Sequence, residues 1–297
     1  MLNIAKVFDN KCLEEAKRIN FDGYCFGDEF CFYKFKNVTK YYNEIKEFSK
    51  AGKMIFVAIP IIQQSHLVEC KKICAELMQL GIKIIYIIND LGMLYYLKTE
   101  YKYVDYSVIL GRLLNKNIES CPWSEHIIRN ENDFIKKVMY TNSANSDIVI
   151  EHLNDLNVKG VHCNITQNQK ASYIKLKEKG YLITADLGYT YVASSRVCIT
   201  AHHKHIKVGD CSSICKSFIE VTLDKIKNVS DMNNSLVKSE NAKELYGTLY
   251  VNGNCIFKKN SIEDVPKEID CVMIDIVSYL NDLSKLEELI CRIKSLD

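Results

Sequence analysis

Three cysteines lie close together in one polar segment, ASSRVCITAHHKHIKVGDCSSICKS. Twelve residues separate Cys198 from Cys211, and three separate Cys211 from Cys215. A fourth cysteine, Cys31, follows an apolar run in GDEFCFYKF. Four thiolates are the usual ligands of a [4Fe–4S] cluster, and the same set can hold zinc in a tetrahedral site. Zinc sites favour C-x2-C pairs, which this chain lacks, but the spacing alone leaves both metals open.

Polar side chains near these cysteines are further candidates for chemistry. Arg196 lies two residues before Cys198, where a planar cation can hold a carboxylate or phosphate, or can brace the loop. His202, His203 and His205 can ligate iron or exchange protons with a substrate, although histidines in a polar loop are more often simply solvated. The roles of these three histidines stay open.

Acidic residues follow several of the apolar runs. Asp186 in ADLG and Asp90 in INDLG can point into a pocket or cap the next helix, and Glu29 in GDEFC can support a metal ligand or face solvent. Arg112 in LGRLLNK is a candidate for binding an anion. Asp186 and Arg196 are the candidate catalytic residues.

The apolar pattern predicts an α/β fold. Amphipathic stretches with helical spacing are Leu67–Leu80, Phe134–Tyr140, Gln167–Lys179 and Leu280–Ser295. Such stretches alternate with short apolar runs, which predicts a parallel sheet, and eight strands is the number that closes a (β/α)8 TIM-like barrel. An open, doubly wound sheet is the alternative, but no Gly-rich phosphate loop follows the first strands. The eight predicted strands are Asn3–Phe8, Gly23–Phe26, Met54–Pro60, Lys83–Ile88, Tyr106–Leu110, Gly160–Cys163, Tyr181–Ala185 and Cys271–Val277.

Two segments break this alternation after the seventh strand. Val192–Ser217 is the cysteine-rich segment, and Ser230–Lys259 is polar and ends in a predicted hairpin around Asn252 and Gly253. Loops that follow barrel strands converge on one face, so thiols in a loop after the seventh strand can meet Cys31. We therefore expect a cluster-binding loop there. No linker divides the chain, and we expect residues 1–297 to form one domain.

Composition narrows the class of protein. The 297 residues are 47% hydrophobic and 26% charged, which is ordinary for a globular protein with a full core. The formal charge of +2 predicts no general attraction to nucleic acid or anionic membrane. Charged residues interrupt the N-terminus and no long apolar run occurs, so we expect a soluble, cytoplasmic protein without a membrane span.

The number of cysteines is itself informative. Thirteen is many for a reducing compartment, and an odd count in a large chain argues against a disulfide framework, so some should bind metal. The nine cysteines outside the candidate ligand set are predicted to be small core residues.

Several motifs together resemble the collagenase-like peptidase family, which includes UbiU and UbiV, proteins of oxygen-independent hydroxylation. They are GDEFC, INDLG, ADLGYTYVASSRVC and the C-x12-C-x3-C run, spanning roughly residues 20–216, and the pattern is closest to the UbiV type. The resemblance implies a barrel fold. It also implies that Cys31, Cys198, Cys211 and Cys215 hold a [4Fe–4S] cluster.

The resemblance implies a function in outline. It points to an oxygen-independent hydroxylase, or its cluster-bearing subunit, acting on an aromatic or heterocyclic small molecule or an RNA base, with prephenate as oxygen donor. It also implies a heterodimer with a related UbiU-like barrel protein. A non-catalytic iron–sulfur partner and a collagenase-like protease are the alternatives. The protease is less favoured, because the chain has neither H-E-x-x-H nor G-x-S-x-G.

Overall fold

The structure is a computed structural model that describes residues 1–115, 128, 130–207, 211, 215, 217–221 and 247–295. Residues 208–210, 212–214 and 216 of the cysteine-rich segment and residues 230–246 of the polar segment lie outside the described residues. The chain divides into two compact units, which are Met1–Lys116, Asn142–Gly188 and Ser261–Asp297, and Asn117–Thr141 and Tyr189–Asn260. That the chain forms one folding domain stays a prediction.

Eight parallel strands close into a barrel in the first unit, which confirms the predicted α/β barrel. Each predicted strand overlaps an observed one, and the ends differ by no more than a few residues. Polar and glycine residues bound these apolar runs, and β-branched residues fill them. In barrel order the strands are β1 (Leu2–Val7), β2 (Gly23–Gly27), β3 (Met54–Ile59), β4 (Ile84–Ile88), β5 (Tyr106–Leu110), β6 (Val158–Asn164), β7 (Leu182–Leu187) and β12 (Cys271–Asp275), which pairs with β1.

Helices follow the barrel strands and cover the outside of the sheet. The predicted helical stretches at residues 67–80, 167–179 and 280–295 are confirmed. The helices of this unit are α1 (Asn10–Arg18), α2 (Phe32–Phe35), α3 (Tyr42–Lys50), α4 (Leu67–Met78), α5 (Leu91–Glu100), α7 (Asp147–Asp155), α8 (Lys170–Glu178) and α10 (Leu283–Lys294).

Successive side chains of each barrel strand point to opposite faces. One set, which includes Ile4, Phe56, Ile109 and Met273, fills the inside of the barrel. The other set packs against the helices in a larger apolar core. The barrel is therefore closed at its centre by packed side chains, and polar chemistry is confined to its ends.

The second unit contains a four-stranded antiparallel sheet. Its strands are β8 (Tyr189–Ser194), β9 (Ile219–Val221), β10 (Leu249–Asn252) and β11 (Cys255–Lys259), in the order β8, β11, β10, β9. The hairpin of β10 and β11 turns at Gly253, which has φ +64° and thereby suits glycine, so the predicted hairpin is confirmed. The described helices of this unit are α6 (Asp133–Met139), which matches the predicted helix at residues 134–140, and α9 (Ile199–His203).

No helix in the described part of the chain is both long enough and apolar enough to cross a membrane.

Candidate active site at the carboxyl end of the barrel

Four barrel strands have a charged or ionisable inward-facing residue near their carboxyl ends. In β1, Lys6 follows Ile4 on the inner face, and in β12 Asp275 follows Met273. His162 in β6 and Asp186 in β7 also face inward: Asp186 pairs with Met273, and His162 pairs with Thr184, two residues before Asp186. The alternation that fills the barrel with apolar residues thus ends in a ring of charged ones.

The loop after β2 adds a carboxylate to this ring. Gly27 has φ +81°, and a Cβ there would lie 2.4 Å from the carbonyl oxygen of Ala58, so only glycine allows the chain to turn so close to β3. Asp28 then accepts the backbone N–H of Cys31 on its Oδ1 at 2.8 Å, which tightens the loop before α2. Glu29, inside this turn, is buried at 3% exposure.

Arg112 lies at the centre of the ring and joins its two buried carboxylates. Its Nη2 is 2.6 Å from Oε2 of Glu29 and 2.6 Å from Oδ2 of Asp186. Its Nε and its backbone N–H also donate to Glu29, at 2.9 and 3.0 Å. Lys6 completes the group, because its Nζ is 2.7 Å from Oδ2 of Asp186. With Arg112 only 2% exposed, these contacts form a buried ion-pair network.

An asparagine fixes the segment that carries Arg112. Asn89 donates to the carbonyl of Ile59 at 3.2 Å and accepts the backbone N–H of Leu113 at 2.9 Å. Gly111 leaves room for it, because a Cβ at that position would lie 2.2 Å from Oδ1 of Asn89. The short loop after β5 is thereby held against β3 and β4, which positions Arg112.

His162 is buried between the two carboxylates. Its Nδ1 lies 2.8 Å from Oγ1 of Thr184, and its Nε2 is 3.3 Å from Glu29 and 3.4 Å from Asp186. Among the described residues, Nε2 has no hydrogen-bond partner of good geometry. Burial acts to lower the pKa of His162, but the charge of Glu29 and the contacts with Asp186 outweigh it and raise the pKa. The geometry therefore favours an imidazolium here.

Glu29 and Asp186 stay ionised because positive charge lies beside them. Burial alone would raise the pKa of Glu29 and of Asp186, but the guanidinium of Arg112 outweighs it and holds both pKa values well below their ordinary range. Lys6 keeps its proton as well: burial acts to lower its pKa, and the charge of Asp186 raises it overall.

Asp275 differs from the other carboxylates of the ring. Burial raises its pKa to about 6, although Lys6 and Lys34 act in the opposite direction. Its Oδ1 accepts the backbone N–H of Val277 at 3.0 Å, and the side chain has no ion pair within the described residues. Such a carboxyl group exchanges its proton near neutral pH, as a general acid or base must.

Glu29, His162 and Asp186 also have ligand-type atoms within 4.8 Å of one another. A divalent metal ion needs such donors, but here the carboxylates already contact two cations, Arg112 and Lys6. A metal ion among them would lie beside both positive charges in a region shielded from water. The charge distribution therefore argues against a metal centre at this position.

A small cleft opens beside the network. The non-atom space around it, including open solvent, is about 270 Å³. Lys6, His162, Glu29 and Asp28 supply polar groups, while apolar side chains, among them Phe30, line the rest. Barrel enzymes bind substrates at this end of their strands, so the cleft and the network form the candidate active site.

The predicted cluster ligands are distributed over the two units. Cys31 begins α2 in the barrel unit, and the other three lie in the second unit. Cys31, Cys198 and Cys211 are half-buried, and Cys215 is buried. That these four side chains hold a metal stays a prediction.

The remaining cysteines behave mostly as the sequence predicts. Seven are buried, namely Cys12, Cys25, Cys70, Cys74, Cys163, Cys255 and Cys271. The prediction of a core position is wrong for Cys291, which is exposed because it lies on the outer face of α10. Cys121 lies outside the described residues.

Within the second unit, the turn at Gly253 organises the cysteine-rich segment. Asn252 donates to the carbonyl of Cys215 at 3.2 Å, and a Cβ on Gly253 would lie 3.7 Å from Sγ of Cys215. The backbone N–H of Thr200, two residues after Cys198, donates to the carbonyl of Gly253 at 3.0 Å. One turn therefore holds the segments that carry Cys198 and Cys215.

Of the other predicted site residues, one caps a helix and four are exposed. Asp90 caps α5 by accepting the backbone N–H of Met93 at 3.0 Å, so the capping interpretation is the one observed. Arg196 is exposed after β8, and His202, His203 and His205 are exposed in and after α9. Their functions stay predictions.

Lys6, His162 and Asp275 are not among the site residues that the sequence predicts. A signal for all three exists, since each is a polar residue on the inward face near the carboxyl end of a barrel strand. Comparison with known proteins found no family model and no curated protein that matches this chain. The resemblance to the collagenase-like peptidase family therefore stays a prediction.

Proposed function

We propose that the chain is an enzyme whose substrate binds in the cleft at the carboxyl end of the barrel. The observation that carries this proposal is the buried network of Lys6, Glu29, Arg112, His162 and Asp186. Buried charges are costly to maintain, and a hydrophobic replacement of the same volume is often as stable or more stable. A network of perturbed pKa values beside a cleft is therefore better explained by function than by stability.

We propose further that the reaction is an oxygen-independent hydroxylation of an aromatic or heterocyclic molecule, carried out by the chain alone or as the cluster-bearing subunit of a pair. This part depends on the motifs that resemble the UbiU and UbiV type. A heterodimer with a related UbiU-like protein and prephenate as oxygen donor belong to the same proposal, and an RNA base is the alternative substrate.

A [4Fe–4S] cluster on Cys31, Cys198, Cys211 and Cys215 completes the proposal. The donor chemistry suits such a group, because four thiols are its usual ligands, and three of these four are half-buried while Cys215 is buried. At Cys198, Sγ accepts the backbone N–H of Ala201 at 3.4 Å, which orients the side chain. When bound, the cluster would supply electron transfer.

The residues of the barrel would then have distinct tasks. Lys6 and His162 line the cleft and can donate hydrogen bonds to a substrate. Arg112 keeps Glu29 and Asp186 ionised, and the apolar wall of the cleft limits access of water to the bound molecule. Asp275 can accept or release a proton near neutral pH.

Anaerobic purification tests the metal part of the proposal. We expect about four irons and four sulfides per chain, with visible absorbance, and loss of both in Cys198→Ala. Cys291→Ala is the matched control, because its thiol is exposed and outside the ligand set. A zinc-bound or metal-free wild-type protein under strict anaerobiosis would contradict the cluster and leave the barrel site unaffected.

A further inference from the structure

The enclosed part of the cleft has the size of a water molecule. The protein leaves room there for about one water, and the larger space around it includes open solvent. A water molecule in such a space needs polar partners that replace its bonds to other water molecules. Lys6 and Asp28 both line the cleft and carry polar groups of opposite charge.

The ammonium group of Lys6 has donors to spare. It carries three hydrogens and no acceptor. Within the described residues, the side-chain hydrogen bond of Lys6 goes to Oδ2 of Asp186 at 2.7 Å. The ring of Phe8 lies on another side of the ammonium group, with its centroid 5.7 Å from Nζ. Lys6 therefore retains at least one N–H for a ligand in the cleft.

The carboxylate of Asp28 has the complementary capacity. Its Oδ1 accepts the backbone N–H groups of Phe30 and Cys31, each at 2.8 Å, and these two bonds fix its orientation. Its Oδ2 lies 3.7 Å from Nζ of Lys34, which is beyond hydrogen-bond distance. Oδ2 therefore retains the capacity to accept a hydrogen bond from a ligand.

One aromatic ring links the surroundings of Lys6 and Asp28. Nζ of Lys34, the ion-pair partner of Asp28, lies 5.4 Å from the centroid of Phe8, and Nζ of Lys6 lies beside the same ring. Phe8 directly follows β1, at the carboxyl end of the barrel. These contacts place the donor of Lys6 and the acceptor of Asp28 around the same part of the cleft.

The pair favours a neutral ligand that both donates and accepts. The side chains of Lys6 and Asp28 are only 17% and 10% exposed, so a bound anion would be repelled by Asp28 and a bound cation by Lys6. Water has two hydrogens and two lone pairs, and it matches the enclosed space in size. It can accept from the ammonium group and donate to the carboxylate at once.

We propose that the cleft binds one ordered water molecule, which accepts a hydrogen bond from Nζ of Lys6 and donates one to Oδ2 of Asp28. Asp186 holds Lys6, and two backbone N–H groups hold Asp28, so both partners are fixed in place. The second hydrogen of the water is then available to a substrate at the open side of the cleft. This last step rests on the proposed position of the substrate, whereas the water site itself does not.

A high-resolution crystal structure of the full-length, anaerobically purified protein tests the site. We expect one peak of electron density at about 2.7–3.2 Å from both Nζ of Lys6 and Oδ2 of Asp28. Crystals grown with bromide in place of chloride should show no anomalous peak at this position, because an anion there would face Asp28. An anomalous bromide peak would overturn the assignment of the ligand as water.

Two lysine variants test the donor. Lys6→Met removes the ammonium group and keeps a side chain of similar length, so the peak should be lost. Lys34→Met is the matched control, because Lys34 lies beside the same ring of Phe8 but does not line the cleft, and the peak should remain. Circular dichroism establishes that each variant is folded before crystals are grown.

The wild-type structure decides the matter even if Lys6→Met does not fold. Absence of the peak from the wild-type protein would overturn the proposal. A peak retained in folded Lys6→Met, or lost equally from both variants, would overturn the assignment of Lys6 as its donor. Absence of the water would leave the proposed enzyme and cluster standing, because neither depends on it. A protein that holds the water but has no activity would refute the proposed enzyme and leave this site standing.

Discussion

The barrel mouth and the cysteine-rich segment position their polar side chains in opposite ways. At the barrel mouth, side chains far apart in the sequence contact each other directly, as Lys6 and Asp186 do over 180 positions. In the second unit, backbone groups and one asparagine hold the cysteines around a hairpin turn. The first arrangement exists only when the barrel is closed, whereas the second depends on a few neighbouring hydrogen bonds.

This contrast predicts different sensitivities. Buried charges that contact one another form one cooperative network. Removing one partner leaves the others buried without a counter-charge, which lowers the free energy of unfolding. Backbone hydrogen bonds at a half-exposed turn are each worth about 1 kcal/mol and are more nearly independent. Three substitutions test the comparison, in order of decreasing expected effect.

The largest effect is expected for Arg112→Met. This change leaves Glu29 and Asp186 buried without their shared guanidinium, and breaking such a pair costs roughly 3–5 kcal/mol of the free energy of unfolding. Urea unfolding followed by circular dichroism measures it. Arg292→Met is the matched control, because its ion pair with Glu263 is exposed and screened by solvent, so its loss should lower the free energy of unfolding far less. Similar losses in the two variants would show that the network is not buried.

An intermediate and pH-dependent effect is expected for Asp275→Asn. The pKa of Asp275 rises from an ordinary 3.8 to about 6 in the folded protein. Its contribution to stability is therefore fully present below about pH 4 and is lost as the pH rises through about 6. The asparagine variant should lack this loss. Between pH 4 and pH 8, its free energy of unfolding should rise by roughly 1–3 kcal/mol relative to that of wild type.

Urea unfolding at several pH values measures this difference, and the amide can still accept the N–H of Val277. The control is Asp105→Asn, whose carboxyl is exposed before β5. If the free energy of unfolding of both variants follows the wild-type pH profile, the prediction that Asp275 is shielded from water at the barrel mouth is wrong.

The smallest effect is expected for Asn252→Ala in the second unit. It removes two hydrogen bonds of 3.2 Å to the carbonyls of Cys215 and Ser217, worth about 1 kcal/mol each. The buried thiol of Cys215 should then react faster with a thiol reagent. Asn260→Ala removes a side-chain contact with Thr190 in the same unit and should leave that rate unchanged. Equal rates in both variants would refute the role of the turn.

Much of the fold could be predicted from the sequence. The strand Tyr106–Leu110 is observed with the predicted ends, because an apolar run between polar neighbours has one way to be buried in a parallel sheet. The hairpin at Gly253 followed from its turn residues for a similarly local reason. The site could be predicted only in part. Glu29, Arg112 and Asp186 were recognised as candidates, but their mutual contacts were not.

The sequence by itself determined the alternation of strands and helices and the position of the hairpin, because these depend on patterns among neighbouring residues. Only the tertiary structure decided which polar residues meet. Lys6, Arg112, His162 and Asp186 lie on different strands or loops, and closure of the barrel sets their distances. Their burial in one network is also what shifts their pKa values, since removal from water strengthens the interaction between charges.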